Sequence, residues 1–160
     1  MVHLRSKDIA LAGILAALYA VVTIATYPIS YLLWNVRVSD ILIGLIFFYP
    51  LPSILALWLG GLIANMTGPV GPLDVLGSFI GVLFLYLAYI VGKRNIVAGL
   101  LVNWLLLSAW LSFMLHIVLS LDIMATAVYL FPQVFISDVI LPFILYKALK
   151  KYGFVEAWKK

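Results

Sequence analysis

Arg37 and Asp40 stand three residues apart in the stretch NVRVSD, between two strongly apolar runs of a chain with only six carboxylates. On a helix that spacing puts a guanidinium and a carboxylate on one face. They can pair with each other, with Asn35 or Ser39 capping the helix, or they can offer donors and acceptors to a bound molecule. Asp138 is the more demanding group. It falls well inside the last apolar run, where an ionisable side chain costs on the order of 2.5–3.5 kcal/mol even on the lenient insertion scale. Such a residue must face a bundle interior and have a partner, with His116 a candidate. Pro142, four residues on, cannot donate to the carbonyl of residue 138, so a carboxylate and a freed backbone oxygen are expected at one place. Ser108, Ser112 and His116 recur every four residues and make a polar stripe, which reads either as packing with serine back-bonding or as a ligand contact through His116. Asn65 and Asp74 complete the polar set. Trp34, Trp58, Trp104 and Trp110 could stack on a flat ring. Interface belts and lipid contact explain most membrane tryptophans, though Trp58, Trp104 and Trp110 fall deeper than a belt, and Trp34, beside the NVRVSD cluster, is the best candidate.

These groups point to reversible binding. No GxxxxGK[ST] phosphate loop is present, so the chain is not expected to hydrolyse nucleotide. No HExxH, no paired-histidine metal pattern and no serine–histidine nucleophile arrangement is evident, so neither an enzyme nor a metal or cofactor protein is expected. There are no cysteines, hence no disulfides.

The elements that must position these residues are membrane helices. The 160 residues are 66% hydrophobic and 10% charged, with mean hydropathy +1.21, whereas a soluble domain is about a quarter charged. The apolar runs are too long for alternating barrel strands. The expectation is an all-α membrane protein, one domain over residues 1–160, with six transmembrane helices near 8–33, 36–49, 51–66, 75–92, 96–119 and 126–149 and a short basic tail at 150–160. The breaks follow the turn chemistry of Pro50 and Pro52, TGPVGP, GKRN and SLDIMAT. The start of the chain superficially looks like a signal peptide, but the run to Leu33 is long and similar runs follow, so it is read as a retained first helix. No long internal repeat of the inverted-transporter kind is visible.

Basic residues set the expected orientation. Arg5, Lys7, Lys93, Arg94, Lys147, Lys150, Lys151, Lys159 and Lys160 fall on one side of a six-span chain, leaving Arg37 on the other. The positive-inside rule then puts both termini in the cytoplasm of a cell membrane, and the net charge of +4 needs no nucleic-acid partner. In this orientation most polar groups gather in the outer half. The inner half holds Asn103 and little else. A pocket open to the outside above an apolar plug is expected. On the first helix Ala12, Ala16 and Ala20 repeat every four residues, with Gly13 and Ala17 alongside. Small residues at that spacing let another helix approach closely, from this chain or from a partner.

Three stretches resemble a known family. NVRVSDIL is similar to the QxRxSEAL signature of the queuosine-precursor type of S component, the substrate-binding subunit of energy-coupling-factor vitamin transporters. GLIANMTGPVGPLDVLGSFIGVL resembles that family's G-x-x-I-A-N … L-D-x-x-x-G-[ST] region, and the first helix, with AALYAVVT, also fits. The similarity covers about residues 10–90, and the later part matches mainly in hydropathy. The resemblance implies a small six-helix protein with cytoplasmic termini and an outward-facing pocket. It also implies docking, through the small-residue face of helix one (Ala12, Gly13, Ala16, Ala17, Ala20), onto a transmembrane coupling protein that carries two ATPases. Arg37, Ser39, Asn65 and Asp74 match the family pattern. Asp40 stands where glutamate is usual, Asn35 where glutamine is, and Ile41 where alanine is.

The expected function is capture of a vitamin-like small molecule, a queuosine precursor or other deazapurine, for delivery through a separate ATPase module. The expected binding set is Trp34, Asn35, Arg37, Ser39, Asp40, Asn65, Asp74, His116 and Asp138. Two other readings stay open: a self-sufficient carrier with Asp138 and His116 as a proton relay, and a membrane scaffold.

Overall fold

The computed structural model describes residues 5–31 and 34–153. Leu32 and Leu33, and the tail beyond 153 with Lys159 and Lys160, lie outside the described residues. Those described form helices only: α1 (Ser6–Ala25), one turn α2 (Tyr27–Ser30), a 3₁₀ helix (Val38–Phe47), α3 (Pro50–Asn65), α4 (Pro72–Gly92), α5 (Ile96–Leu119), α6 (Ile123–Phe135), a π segment (Ile136–Ile140) and α7 (Leu141–Lys151). By length and composition, four runs can cross a membrane: α1, α4, α5 and the continuous run Ile123–Lys151. The 3₁₀ helix and α3 are shorter apolar helices.

Local chemistry sets the boundaries. Asn95 Oδ1 accepts from Val97 N and Ala98 N at 3.0 and 3.3 Å and starts α5. Asp122 Oδ1 does the same for Ala125 N at 2.7 Å and starts α6. Gly71, at φ +69°, makes a turn that a side chain would strain, and Pro72 then opens α4 with a preset φ. The first helix stops at Ala25, short of the expected Leu33. Pro28 has no N–H to continue the ladder, so the chain restarts as the single turn α2 with Pro28 inside it.

Two segments depart from α geometry. The expected second helix is a 3₁₀ helix ten residues long, although such runs rarely exceed three or four. At about 2.0 Å per residue it reaches roughly 20 Å, against about 15 Å for α. Residues three apart eclipse, so Arg37, Asp40, Ile43 and Ile46 fall in one column. In the last run Leu141 N–H reaches back five residues to Ile136 O, and Pro142 follows with no N–H to give. Proline loosens the ladder into one wide π turn, and Asp138 sits at its centre.

Lipid is as apolar as leucine, so close backbone approach and interhelical hydrogen bonds must hold such helices together. Where α3 crosses α1, a Cβ on Gly60 would lie 2.6 Å from Ala16 O. Where the 3₁₀ helix crosses α7, a Cβ on Gly44 would lie 2.5 Å from Pro142 O. Gly99 on α5 meets Ala88 and Gly92 of α4 in the same way. The bonds across helices include Tyr31 Oη to Ala64 O at 2.8 Å, Trp104 Nε1 to Phe131 O at 2.8 Å, and the hydroxyls of Thr23 and Ser39 at 2.6 Å.

Candidate binding cavity

A cavity of about 720 Å³, counted with the solvent space in its mouth, opens between α1, the 3₁₀ helix, α3, α4 and α5. Each wall is one face of a helix. Leu57, Trp58, Gly61 and Asn65 come from α3. Asp74, Gly77, Ser78, Gly81, Val82 and Leu85 come from α4. Asn103, Leu107, Trp110, Leu111 and Met114 come from α5. Tyr19 of α1 borders it, as do Asn35, Arg37, Asp40 and Ile43. The last three belong to the eclipsed column, so 3₁₀ winding delivers a cation, an anion and an apolar side chain to the same space.

Arg37 is tied without being neutralised directly. Its Nε donates to Ser30 O at 3.1 Å, and its guanidinium carbon lies 5.1 Å from the centre of the Tyr31 ring. Among the described residues the ion pair recorded is Arg5 with Asp8, at 3.2 Å. Arg37 and Asp40 therefore do not form the local pair that their spacing allows. Asp40 instead accepts the Tyr19 hydroxyl at 2.6 Å. Across the cavity Asn65 Nδ2 donates to Asp74 O at 3.0 Å and to Ser78 Oγ at 2.9 Å, and Asp74 Oδ2 accepts from Val70 N at 2.8 Å. Two buried atoms of the wall residues lack a partner: Asn65 Oδ1 and Trp58 Nε1. The site thus combines one guanidinium, two carboxylates, amide side chains and four aromatic rings, those of Tyr19, Trp58, Phe84 and Trp110. It can grip a flat polar molecule. Among the described residues no three histidine, cysteine, aspartate or glutamate side chains could cage a metal ion.

A family model, that of the QueT transporter, matches residues 9–151. The chain belongs to the QueT transporter family. It is a membrane transporter with several apolar helices. Comparison with curated proteins and with solved structures gives no match.

In this QueT-family transporter the expected residues sort into three groups. Asn35, Arg37, Asp40, Asn65 and Asp74 are brought together on the cavity. Ser39 and Asp138 lie behind its wall: Ser39 is buried against Thr23, and Asp138, wholly buried, holds Asn103 Nδ2 at 2.6 Å. Trp34 and His116 are apart from it. Trp34 is 62% exposed, and His116, also exposed, donates from Nδ1 to Leu121 O at 2.6 Å. Asp138 and His116 are not partners, and Ser112 bonds back to Ser108 O at 2.8 Å. The alanine stripe divides as well. Ala16 and Ala20 are buried and Ala12 is half-buried, the first seated on Gly60 of α3, while Gly13 and Ala17 face outward.

Tyr19, Ser78 and Asn103 of the cavity were outside the expected binding set, and Trp58 and Trp110, weighed as stacking residues behind Trp34, border it where Trp34 does not. Asn103 was visible as a lone amide in an apolar half. The depth of Trp58 and Trp110 set them apart from an interface belt, but a deep tryptophan reads the same in sequence whether it faces lipid or a cavity.

Proposed function

We propose that this chain is the substrate-capture subunit, or S component, of an energy-coupling-factor importer, and that its cavity takes a queuosine precursor or related deazapurine. One observation carries the reading: Arg37, Asp40, Asn65 and Asp74, scattered over forty residues of sequence, converge with Tyr19, Trp58 and Trp110 around one space. A deazapurine has ring N–H groups and a carbonyl for the carboxylates, amides and guanidinium, and a flat face for the aromatics. In this reading the 3₁₀ helix and α3 join the four longer runs as six spans with cytoplasmic ends. Their modest length is tolerable because both pack inside the bundle. A transmembrane coupling protein and two ATPases supply the energy, and the chain itself catalyses nothing. The outward residues of α1, Gly13 and Ala17 with Ile14 and Leu18, are where a coupling protein would meet this helix.

The test is binding to the purified protein. 7-Deazaguanine and its 7-substituted forms should raise the melting temperature in a concentration-dependent way, since a ligand that binds only the folded state stabilises it. Riboflavin and thiamine should not. Stabilisation by an unrelated vitamin alone would replace the ligand assignment. ATP-independent uptake by the isolated chain would replace the capture assignment.

A further inference from the structure

Asp138 does not border the cavity, yet it grips a residue that does. Its Oδ2 accepts the Asn103 Nδ2–H at 2.6 Å, and the two are 0% and 3% exposed. Because Oδ2 is the acceptor, it holds the nitrogen end of the carboxamide. The Asn103 carbonyl oxygen bonds to no described residue and, unlike Asp138 Oδ1, is not among the covered atoms. The open space beside Asn103 is the cavity. Asn65 is held in the same sense. Both of its recorded bonds leave from Nδ2, to Asp74 O and Ser78 Oγ, and its Oδ1 is left over.

We propose that Asp138 is a positioning residue that fixes the Asn103 carboxamide with its carbonyl oxygen toward the cavity, making Asn103 a reader of N–H donors on the ligand. The proposal deepens the capture reading above and rests on it for the site. The wide π turn supports this role: it carries the carboxylate inward behind α5 instead of into the cavity. With the Asn103 oxygen so turned and Asp40 and Asp74 alongside, the cavity selects a planar heterocycle rich in N–H donors, and Arg37 serves its acceptors.

The experiment uses the full chain in nanodiscs, titrated calorimetrically with 7-deazaguanine. Asp138→Ala should weaken binding about tenfold, the scale of one lost hydrogen bond to a well-placed group. Asp138→Asn should stay within about threefold, because an amide oxygen still accepts the Asn103 N–H. In an Asn103→Leu background Asp138→Ala should cost nothing more, since the two act as one unit. Equal losses in Asp138→Asn and Asp138→Ala would mean that the charge acts on the ligand directly. An undiminished loss in the Asn103→Leu background would mean that Asp138 acts by another route. Either overturns the proposal. If Asp138→Ala does not fold, Asp138→Val removes the acceptor while filling the volume.

A second arm needs no ligand. The Asn103 side-chain amide protons, assigned by their loss in Asn103→Leu, should form a slowly exchanging pair in wild type and Asp138→Asn and become mobile in Asp138→Ala. An unchanged pair in Asp138→Ala overturns positioning. If wild type binds no 7-deazaguanine, the deazapurine reading fails, and the amide arm still decides positioning.

Discussion

The 3₁₀ helix over Val38–Phe47 and the π segment over Ile136–Ile140 each bring one aspartate to the middle of the bundle, by opposite distortions. The first is wound tightly, three residues to the turn, and stacks Arg37, Asp40 and Ile43 directly on the cavity. The second is wound loosely around Pro142 and leaves Asp138 behind the wall, where it holds Asn103 and neighbours the Asp40 carboxyl. Both are non-α backbone with a buried acid. The lesson is that depth in a membrane segment says that an acid must have a partner. It does not say whether that partner is a ligand or a neighbouring side chain.

Five changes would break or sharpen this contrast. The largest effect is expected where the 3₁₀ helix is pinned to α7, just past the π segment. Gly44→Val puts a side chain 2.5 Å from Pro142 O, and overpacking of backbone by backbone costs roughly 3 kcal/mol or more. Little monodisperse protein should survive size-exclusion, and a wild-type elution profile and melting temperature would show that the crossing is looser than described.

Next comes the direct contact. Arg37→Ala should weaken 7-deazaguanine by about a hundredfold, the scale of a truncated buried charge contact. Calorimetry giving less than a threefold change would take Arg37 out of the binding set.

Pro142→Ala restores an N–H and permits regular α winding, which would rotate Asp138 relative to Asn103. Affinity should fall about tenfold, in step with the indirect role of Asp138, while the melting temperature holds or rises. Unchanged affinity would separate the π turn from the site.

The smallest effects belong to Ser39 and Trp34. Ser39→Ala removes the 2.6 Å bond to Thr23, worth about 0.6 kcal/mol on average between membrane helices, and should lower the melting temperature slightly without touching affinity. Trp34→Ala should change neither. A stacking role for Trp34 would show as lost binding.

The sequence made the polar half of this site legible and left the aromatic half dark. Arg37, Asp40, Asn65 and Asp74 stood out because a polar group in an apolar run must be accounted for. Tyr19 did not, and Trp58 and Trp110 stood out only by depth, because in lipid the inside and outside of a helix are both apolar and the contrast that marks a core face in water is missing. The ends of α5 could be read directly from Asn95 and the polar turn at Ser120. The winding of residues 38–47 could not, since VSDILIGLIF carries no residue that distinguishes three residues per turn from 3.6. The small-residue stripe on α1 announced a close neighbour without naming it. For Ala16 the neighbour is Gly60 of α3, inside the same chain.

The tight winding of residues 38–47 also makes them a strut of variable length. Rewound at 3.6 residues per turn, the same ten residues would shorten by about 5 Å, and Arg37, Asp40 and Ile43 would fan out around the axis instead of standing in file. For this stretch, how far apart its two ends are held and whether its polar groups line up are the same variable. Anything that pulls on one end of it edits the chemistry offered at the other.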